Sequence, residues 1–346
     1  MMPPVVERNY IRDDDQDPLD CLNDLQLYRE FRMDKDGILF LTTILQNELQ
    51  NVEEQRGQPV KAHIMIMVSL LYLATNTFQL IIARRFKLSQ ATVSRCIAAF
   101  VKALSSKVND FVVFPRSDEA IRRAKLSFYD VAHMPGVVSA IDGTHVPIPS
   151  PSTDGHQYRC RKGYPSINVQ LACDAEGLFT NVVARWPGSS HDSYVLRNSL
   201  LYTAFENGSV NGIIVGDSAY PCKRWLLTPY ANPVTDAEKR YNTCQKRTRV
   251  IIECSIGRLK RRFACLNQLR LNLDIVPAAI SSCVILHNLI QSQKIKQRVL
   301  RKFNLQEDDL PEDVNDFDEE APEENRYEGN DENGNTFRRH MALQIG

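Results

Sequence analysis

Apolar residues recur at helical spacing in the first part of the chain and at strand spacing in the middle. From Pro18 the leucines and aromatic residues fall mostly three and four positions apart, and the apolar segment from His63 to Ala74 predicts a buried helix. Beyond residue 126 the pattern changes to short runs rich in β-branched residues, bounded by turn-forming residues. The sequence therefore predicts a helical domain at residues 21–125 and an α/β domain at residues 126–300.

The α/β region begins with three predicted strands, at residues 137–148, 166–174 and 178–186. The tight turn signal at residues 174–177 favours an antiparallel meander. A helix follows, capped by Ser189 or Ser190 and ended by Asn207-Gly208, and then a strand that ends at Asp217. Strand, strand, strand, helix, strand is the core order of a ribonuclease-H-like fold, so we expect an α/β protein of this class.

Three carboxylates stand out in these elements. Asp142 interrupts the apolar run VVSAIDGTHVP, Asp217 ends the run GIIVGDSAY, and Glu253 lies on an amphipathic helix further along. Carboxylate oxygens suit Mg2+ and Mn2+. Two such ions would activate a water on one side of a phosphodiester and stabilise the leaving oxygen on the other. We expect the three carboxylates to converge as catalytic and metal-binding residues, with Asp217 binding both ions and Asp142 and Glu253 one each.

Each of these carboxylates also has a structural interpretation. Asp142-Gly143 is a hairpin-turn signal, Asp217 could cap the segment that follows it, and Glu253 could pair on the surface with Arg249, four residues earlier. Taken singly, each residue is better explained in this way. Taken together, two aspartates at predicted strand ends and a helical glutamate favour a metal site.

Three further residues are predicted to surround the metal site. Asp192 and His191 lie at the start of a predicted helix, where each has a structural explanation, and we place both either behind the metal ligands or facing DNA. His145, three residues past Asp142, either contacts phosphate or satisfies a core hydrogen bond, and the second is favoured.

The segment from about residue 77 to 103 is predicted to form a helix-turn-helix. Ser89 is a good N-cap, because its hydroxyl can accept a hydrogen bond from an amide of the first turn. A recognition helix contacts bases and phosphates from its N-terminal turns. A plain helical hairpin would carry the same residue types, but basic residues on both sides of the turn favour DNA binding. The predicted DNA contacts are Arg84, Arg85, Gln90, Thr92, Ser94 and Arg95, together with Lys260 and Arg261 on the helix of Glu253.

Charge is unevenly distributed along these 346 residues. The chain holds 42 basic and 42 acidic side chains. Residues 1–20 and 301–346 together contain 7 of the basic and 20 of the acidic ones. The remaining 35 basic and 22 acidic residues give residues 21–300 a formal charge of +13. A basic body favours a polyanion partner, although a solvated basic surface would look the same. We expect residues 1–20 to be a disordered acidic leader and residues 301–346 a disordered acidic tail that either competes with DNA or only aids solubility.

Compartment and redox state follow from what the sequence lacks. It has no secretory signal at its start and no run of about 18 apolar residues, so we expect an intracellular protein with no membrane partner. The nine cysteines are scattered singly, without the spacing of a zinc site. They are expected to be reduced and mostly buried.

Five motifs together resemble one family. They are AIDGTHVPI, RKGYPSINVQLACD, WPGSSHDSYVLRNS, GDSAYP and the block from Tyr241 to Phe263 that closes on ECSIGRLKRRF. The chain resembles the PIF/Harbinger DDE transposases over most of residues 60–292, and most closely their domesticated relatives, the Harbinger transposase-derived nucleases. The resemblance implies a DDE triad at Asp142, Asp217 and Glu253 on a ribonuclease-H-like domain preceded by a helix-turn-helix. It also implies a separate Myb-like protein that supplies DNA binding and nuclear entry.

Two functions remain from these observations. The first is a metal-dependent DNA endonuclease, either an active transposase or a derived nuclease, that uses two Mg2+ or Mn2+ ions. The second is a domesticated DNA-binding or scaffold protein that keeps the fold without turnover. The three intact carboxylates favour the enzyme, because a scaffold has no use for converging acids. The expected partners are DNA and the Myb-like protein, with a homo-oligomer as a further expectation, and the expected location is the nucleus and also the cytoplasm.

Overall fold

A computed structural model of the protein describes residues 17–53, 59–306 and 331–345. They divide into two compact units. Described residues of 1–111 and 260–314 form a helical unit, and those of 112–259 and 315–346 form a unit built on a sheet. Each unit is therefore assembled from two separate parts of the chain, whereas the sequence predicted contiguous domains at 21–125 and 126–300.

Among the described residues, helices dominate both units, and one sheet of five strands lies in the second. The helices are α1 (Pro18–Cys21), α2 (Asp24–Phe31), α3 (Lys35–Glu53), α4 (Ala62–Thr75), α5 (Gln79–Arg85), α6 (Gln90–Ser105), α7 (Val108–Phe111), α8 (Asp118–Ala132), α9 (Asp192–Arg197), α10 (Leu200–Glu206), α11 (Asp236–Arg262), α12 (Val276–Ser292), α13 (Ile295–Phe303) and α14 (Glu332–Gln344). The strands are β1 (Val137–Pro147), β2 (Ser166–Cys173), β3 (Phe179–Pro187), β4 (Ile213–Val215) and β5 (Leu226–Leu227).

The helical unit is centred on α4. Every residue of α4 from Ile64 to Ala74 is buried, which confirms the predicted buried helix. Helices α3 and α6 pack against it, and α12 packs against α6. The Ser282 hydroxyl of α12 donates to the Val101 carbonyl of α6 at 3.1 Å. The apolar faces of these helices thus form one core.

Helices α5 and α6 are joined by a short turn. Lys87 has a φ of 51°, in the left-handed region, and the Ser89 hydroxyl accepts a hydrogen bond from the Thr92 amide at 3.1 Å. The predicted N-cap at Ser89 is therefore confirmed. Val93, Ile97 and Phe100 are buried, so the helix pair is fixed by apolar packing on one side.

Helix α12 was predicted to complete the α/β domain, but it belongs to the helical unit. Within the part of the chain that the structure describes, Leu273–Ser292 is the one stretch long and apolar enough to cross a membrane by length and composition. The sequence expectation that no segment approaches such a span is therefore wrong on these two criteria. Of the most apolar window of that stretch, 72% is buried within the structure, as in a core helix.

The sheet has the strand order β3-β2-β1-β4-β5. Strands β1, β2 and β3 form the predicted antiparallel meander. Strands β4 and β5 add to β1 in parallel orientation. The resulting mixed sheet confirms the predicted α/β class.

Helices cover the sheet where the sequence predicted fewer of them. Helix α8 begins at Asp118, inside the predicted helical domain at 21–125, with Ser117 as its N-cap, yet it packs against β1 of the sheet unit. The predicted single helix after β3 is two short helices, because the Ser199 hydroxyl accepts from the Tyr202 amide and starts α10 anew. His191, and neither Ser189 nor Ser190, is the N-cap of α9.

Helix α11 begins well before the residues that the sequence singled out on it. The sequence placed Glu253 on an amphipathic helix without giving its start, and the helix runs from Asp236 to Arg262. Thr235 and Glu238 form a reciprocal cap, because the Thr235 hydroxyl accepts from the Glu238 amide and the Glu238 carboxylate accepts from the Thr235 amide. This threonine-to-glutamate spacing is the capping-box signal of a helix start.

The two ends of the chain also differ from the predicted disordered leader and tail. Residues 18–20 of the predicted leader belong to helix α1, and α13 is held in the helical unit by Arg298, whose guanidinium contacts the buried Asp34 carboxylate at 2.5 Å. Helix α14 packs on the sheet unit, with Met341, Ala342 and Ile345 buried. Residues 1–16 of the predicted leader and the acidic stretch at 307–330 lie outside the described residues. All nine cysteines are free thiols, and six are buried.

The docking of α14 makes a testable prediction. A Cβ on Gly334 would collide with the backbone carbonyl of Cys222, so Gly334→Ala should release the helix and expose the neighbouring Arg338 and Arg339 to trypsin. We expect cleavage there to become faster than in the wild type, measured by mass spectrometry of a timed digest. Asn333→Ala changes an exposed residue of the same helix and should leave cleavage unchanged. Equal cleavage in both variants would show that α14 does not depend on this contact.

Candidate active site

The parallel pairing of β1 and β4 places Asp142 and Asp217 side by side. Ala140 pairs with Val215, and each aspartate lies two residues further along its strand direction. Strand β1 continues past Asp142 to Pro147, because β2 goes on pairing with it as far as Ser166. Asp142-Gly143 is therefore neither a strand end nor a hairpin turn, and that part of the prediction is wrong. The neighbouring position of the two aspartates does not depend on it.

Helix α11 brings Glu253 toward these aspartates. Gln245 donates from its side-chain Nε2 to the carbonyl of Gly216, the residue before Asp217, at 2.7 Å. Arg249 and Glu253 follow at steps of four and so lie on the same face of the helix. Arg249 Nη2 is 2.9 Å from Glu253 Oε1. The predicted pairing of Glu253 with Arg249 thus exists, and it points along the helix face that contacts the end of β4.

Asp192 lies closer to this site than the sequence suggested. Its carboxylate sits above Gly143, where an added Cβ would be 2.5 Å from Asp192 Oδ1. The Asn168 amide donates to the same carboxylate oxygen at 2.7 Å. Glycine at position 143 is thus what allows a carboxylate from α9 to approach the middle of β1.

The two histidines occupy different surroundings. His145 Nδ1 is 3.0 Å from the Ser166 hydroxyl of β2, a contact between neighbouring strands. His191 is exposed and makes no side-chain capping bond.

The pKa values show that the carboxylates interact. Burial, and after it the charge of Asp217, raises the pKa of Asp142 well above its usual range, while Arg249 opposes the shift. Burial, and after it the charge of Asp192, raises the pKa of Asp217 to about 6, with Arg249 opposing and Glu253 adding to the shift. Like charges close together disfavour ionisation in this way. Asp142, Asp192, Asp217 and Glu253 therefore form one cluster, called here the carboxylate cluster, with Arg249 beside it.

Tyr220 is a member of this site that the sequence did not single out. Burial raises the pKa of its hydroxyl well above the usual range, and Asp192, Asp142 and Asp217 add to the shift in that order. The hydroxyl is buried and has no hydrogen-bond partner among the described residues. Only its place three residues after Asp217 could have drawn attention to it.

The donor set of the cluster fits a hard divalent cation. All four acidic residues offer carboxylate oxygens, the ligands that Mg2+ and Mn2+ prefer, and the guanidinium of Arg249 shows that the cluster attracts a cation. The arrangement is not ready-made, because among residues 17–53, 59–306 and 331–345 no three histidine, cysteine, aspartate or glutamate side chains are grouped so as to hold an ion.

Comparison with known proteins bears directly on this cluster. Residues 141–288, which include all four carboxylates, match the family described as DDE superfamily endonuclease. The rat and mouse proteins named "Putative nuclease HARBI1" are each 34% identical to the chain over 280 residues, which is 80% of this chain and 80% of the relative. The human protein of that name is 32% identical over the same shares. The chain belongs to the DDE endonuclease family.

Membership confirms the resemblance to the Harbinger transposase-derived nucleases and gives the chain a nuclease-type function. In this DDE endonuclease, Asp142 lies within β1 in the motif AIDGTH. Asp217 lies two residues after the end of β4 in the motif GDSAYP. No solved structure matches the chain.

The predicted DNA-binding residues of this DDE endonuclease are mostly at its surface. Arg95 Nη2 donates to the Thr92 hydroxyl at 3.2 Å, and Arg85 pairs with Glu30. Both contacts leave the guanidinium groups accessible. Exposed residues are Arg84, Arg85, Gln90, Ser94 and Arg95, while Thr92, Lys260 and Arg261 are half-buried.

The raised pKa of Asp217 predicts how stability depends on pH. The ordinary value is 3.8 and the folded value about 6, so between these pH values the folded protein binds more protons than the unfolded one. The free energy of unfolding should then fall as pH rises through this range and stay low above it. Without metal, Asp217→Asn should be more stable than the wild type by about 1–3 kcal/mol at pH 7.5, measured by urea unfolding in EDTA.

The advantage of Asp217→Asn should shrink as the pH falls toward 5, where the wild-type carboxyl takes up a proton. Asp236→Asn removes an exposed carboxylate at the start of α11 and should show no such pH dependence. Stability curves of Asp217→Asn and wild type that coincide at every pH would show that Asp217 is not destabilised by its neighbours.

Proposed function

We propose that this protein is a metal-dependent DNA endonuclease that hydrolyses phosphodiester bonds on a ribonuclease-H-like domain. The observation that supports the proposal is the electrostatic interaction of Asp217 with Asp142, Asp192 and Glu253 in a chain of the DDE endonuclease family. The strand order β3-β2-β1-β4-β5, with three antiparallel strands and two parallel ones, supports the ribonuclease-H-like assignment.

Each carboxylate has a role in this proposal. Asp217, which interacts with Asp142, Asp192 and Glu253 alike, would bind both ions, with Asp142 and Glu253 each binding one. Asp192 would act as a fourth carboxylate, and Asn168 would orient it. When bound, a pair of Mg2+ or Mn2+ ions supplies the Lewis acidity that activates water and stabilises the leaving oxygen.

The remaining side chains prepare the site before substrate arrives. Gln245 holds the end of β4 against α11 through the Gly216 carbonyl, which fixes the distance between Asp217 and the helix of Glu253. The raised pKa values of Asp142 and Asp217 indicate that Arg249 and the other protein groups do not fully compensate the negative charge of these buried carboxylates. Divalent cations would relieve this repulsion, so the same charges that destabilise the fold would favour metal binding.

The scaffold alternative would need the carboxylates to serve no purpose. A clustered set of acids costs stability, and a protein without turnover gains nothing from keeping them. We further propose, from the family resemblance, that the enzyme acts with a Myb-like protein and works in the nucleus and also the cytoplasm.

Cleavage of labelled duplex DNA in Mg2+ or Mn2+ tests the proposal. Asp142→Asn, Asp217→Asn and Glu253→Gln should each lower the rate by about 100-fold or more, because losing several kcal/mol of charge stabilisation in the transition state costs tenfold per 1.4 kcal/mol. Asp192→Asn tests the fourth carboxylate in the same assay and should also lower the rate.

Asp236→Asn is the matched control, since it removes a carboxylate from the same helix as Glu253 at an exposed position. It should cleave at the wild-type rate. Wild-type protein that binds DNA but cleaves none with either metal, or triad variants as active as the wild type, would favour the scaffold alternative.

We also propose that α5 and α6 bind DNA through Arg84 and Arg95. Replacing both with alanine should weaken binding and reduce the steepness of log affinity against log salt by about 1–2. Each phosphate contact that is removed leaves one counterion on the DNA that the wild type would displace. Fluorescence anisotropy across a salt series measures both quantities. Arg122→Ala with Arg123→Ala, two exposed arginines of α8, makes the same charge change and should leave the slope nearly unchanged. A slope unaffected in both double variants would mean that α5 and α6 are a structural hairpin.

A further inference from the structure

Arg249 is the basic side chain that the fold inserts beside the carboxylate cluster. It lies one helical turn after Gln245, which contacts the end of β4, and one turn before Glu253. Its side chain is only 18% exposed, and its Nε is buried without a hydrogen-bond partner in the described structure. A surface arginine would keep these donors in water, so the position of Arg249 has to be explained by its neighbours.

Those neighbours are acidic. Arg249 Nη2 contacts Glu253 Oε1 at 2.9 Å, and its positive charge opposes the rise in pKa of both Asp142 and Asp217. It thus stabilises three carboxylates from one position. An exposed pair at this helical spacing contributes little, whereas a half-buried cation amid several acids interacts much more strongly.

We infer that Arg249 is an internal counter-ion of the metal-free carboxylate cluster, and that its guanidinium must release Glu253 before a divalent cation is bound. This inference rests on the proposed metal-dependent function. It assigns to Arg249 a part in metal loading, as a positioning residue that acts through Glu253.

Competition between the two cations follows from their shared ligand. Glu253 Oε1 is engaged by the guanidinium, and no three acidic side chains of the described residues are yet grouped around an ion position. A bound divalent ion would need that oxygen and would be repelled by the guanidinium at short range. Arg249 therefore keeps the metal-free fold stable and, at the same time, weakens metal binding.

Metal affinity measured without DNA tests this inference. Protein freed of metal with EDTA and then dialysed is titrated with Mn2+ by isothermal calorimetry, for wild type, Arg249→Met and Arg247→Met. Methionine keeps the length and apolar contacts of the arginine stem but removes its charge. Arg247 is exposed on the same helix, so its variant controls for net charge.

We expect Arg249→Met to bind Mn2+ roughly tenfold more tightly than the wild type, since about 1.4 kcal/mol of removed repulsion corresponds to that factor. Arg247→Met should match the wild type. The metal-free melting temperature of Arg249→Met should fall below that of Arg247→Met, and saturating Mn2+ should raise it more than it raises that of the wild type.

If Arg249→Met does not fold without metal, the wild type itself provides a second measurement. In protein labelled with 15N-arginine, the buried Nε–H of Arg249, assigned by its absence from Arg249→Lys, should exchange slowly with solvent and faster once Mg2+ is added. An exchange rate that Mg2+ leaves unchanged would overturn the inference.

The outcomes separate this inference from the proposed function. Equal Mn2+ affinity in wild type, Arg249→Met and Arg247→Met would overturn the role of Arg249 and leave the metal-dependent function standing. No Mn2+ binding by any of the three proteins would contradict the proposed function, and the inference with it.

Discussion

The repulsion among four carboxylates is the constraint on which this site depends. Asp142 and Asp217 are brought together by a backbone register that neither side chain can change, since the pairing of β1 with β4 ends just before both of them. Asp192 is added by α9 and Glu253 by α11. Such a cluster is unfavourable in itself, so the surrounding contacts have to hold each acid in place. Asn168 does this for Asp192, and the Ala219 amide does it for Asp217 at 3.0 Å.

Much of the sheet was predictable because alternation and turn chemistry are local signals. The meander β1 to β3 was predicted from β-rich runs separated by turn residues. Asp142 and Asp217 were singled out because each is a carboxylate within or at the end of an apolar run. The strand predicted at residues 137–148 is β1, but Asp142 lies within it and not at its end, because pairing with β2 as far as Ser166 overrides the Asp-Gly turn signal. The early start of α11 could have been found from the Thr235–Glu238 capping box, and that of α8 from Ser117 with the acidic residues after it.

The composition of the site was harder to predict than its strands. Asp192 was set aside because its position in a first helical turn already had an explanation, and only the close approach over Gly143 shows where its carboxylate lies. Arg249 was recognised as a partner of Glu253, but its effect on Asp142 and Asp217 depends on the packing of α11 against β4. Tyr220 gave only its position three residues after Asp217, and nothing in the sequence indicates that its hydroxyl is buried beside the carboxylates. Each of these contacts joins elements far apart in sequence, which local patterns do not report.

The connection between Asp217 and Glu253 is stabilised by the end of the chain. Within the segment that joins Asp217 to Glu253, the Thr228 carbonyl accepts hydrogen bonds from the Tyr241 hydroxyl of α11 and from the Arg338 guanidinium of α14. Arg338 also lies over the Tyr230 ring, 4.1 Å from its centroid. Helix α14 therefore supports the segment that links two carboxylates of the cluster. Any deletion made to study the acidic stretch should remove residues 307–330 and keep α14, because losing that helix would disturb the site directly and mimic an effect of the acidic residues.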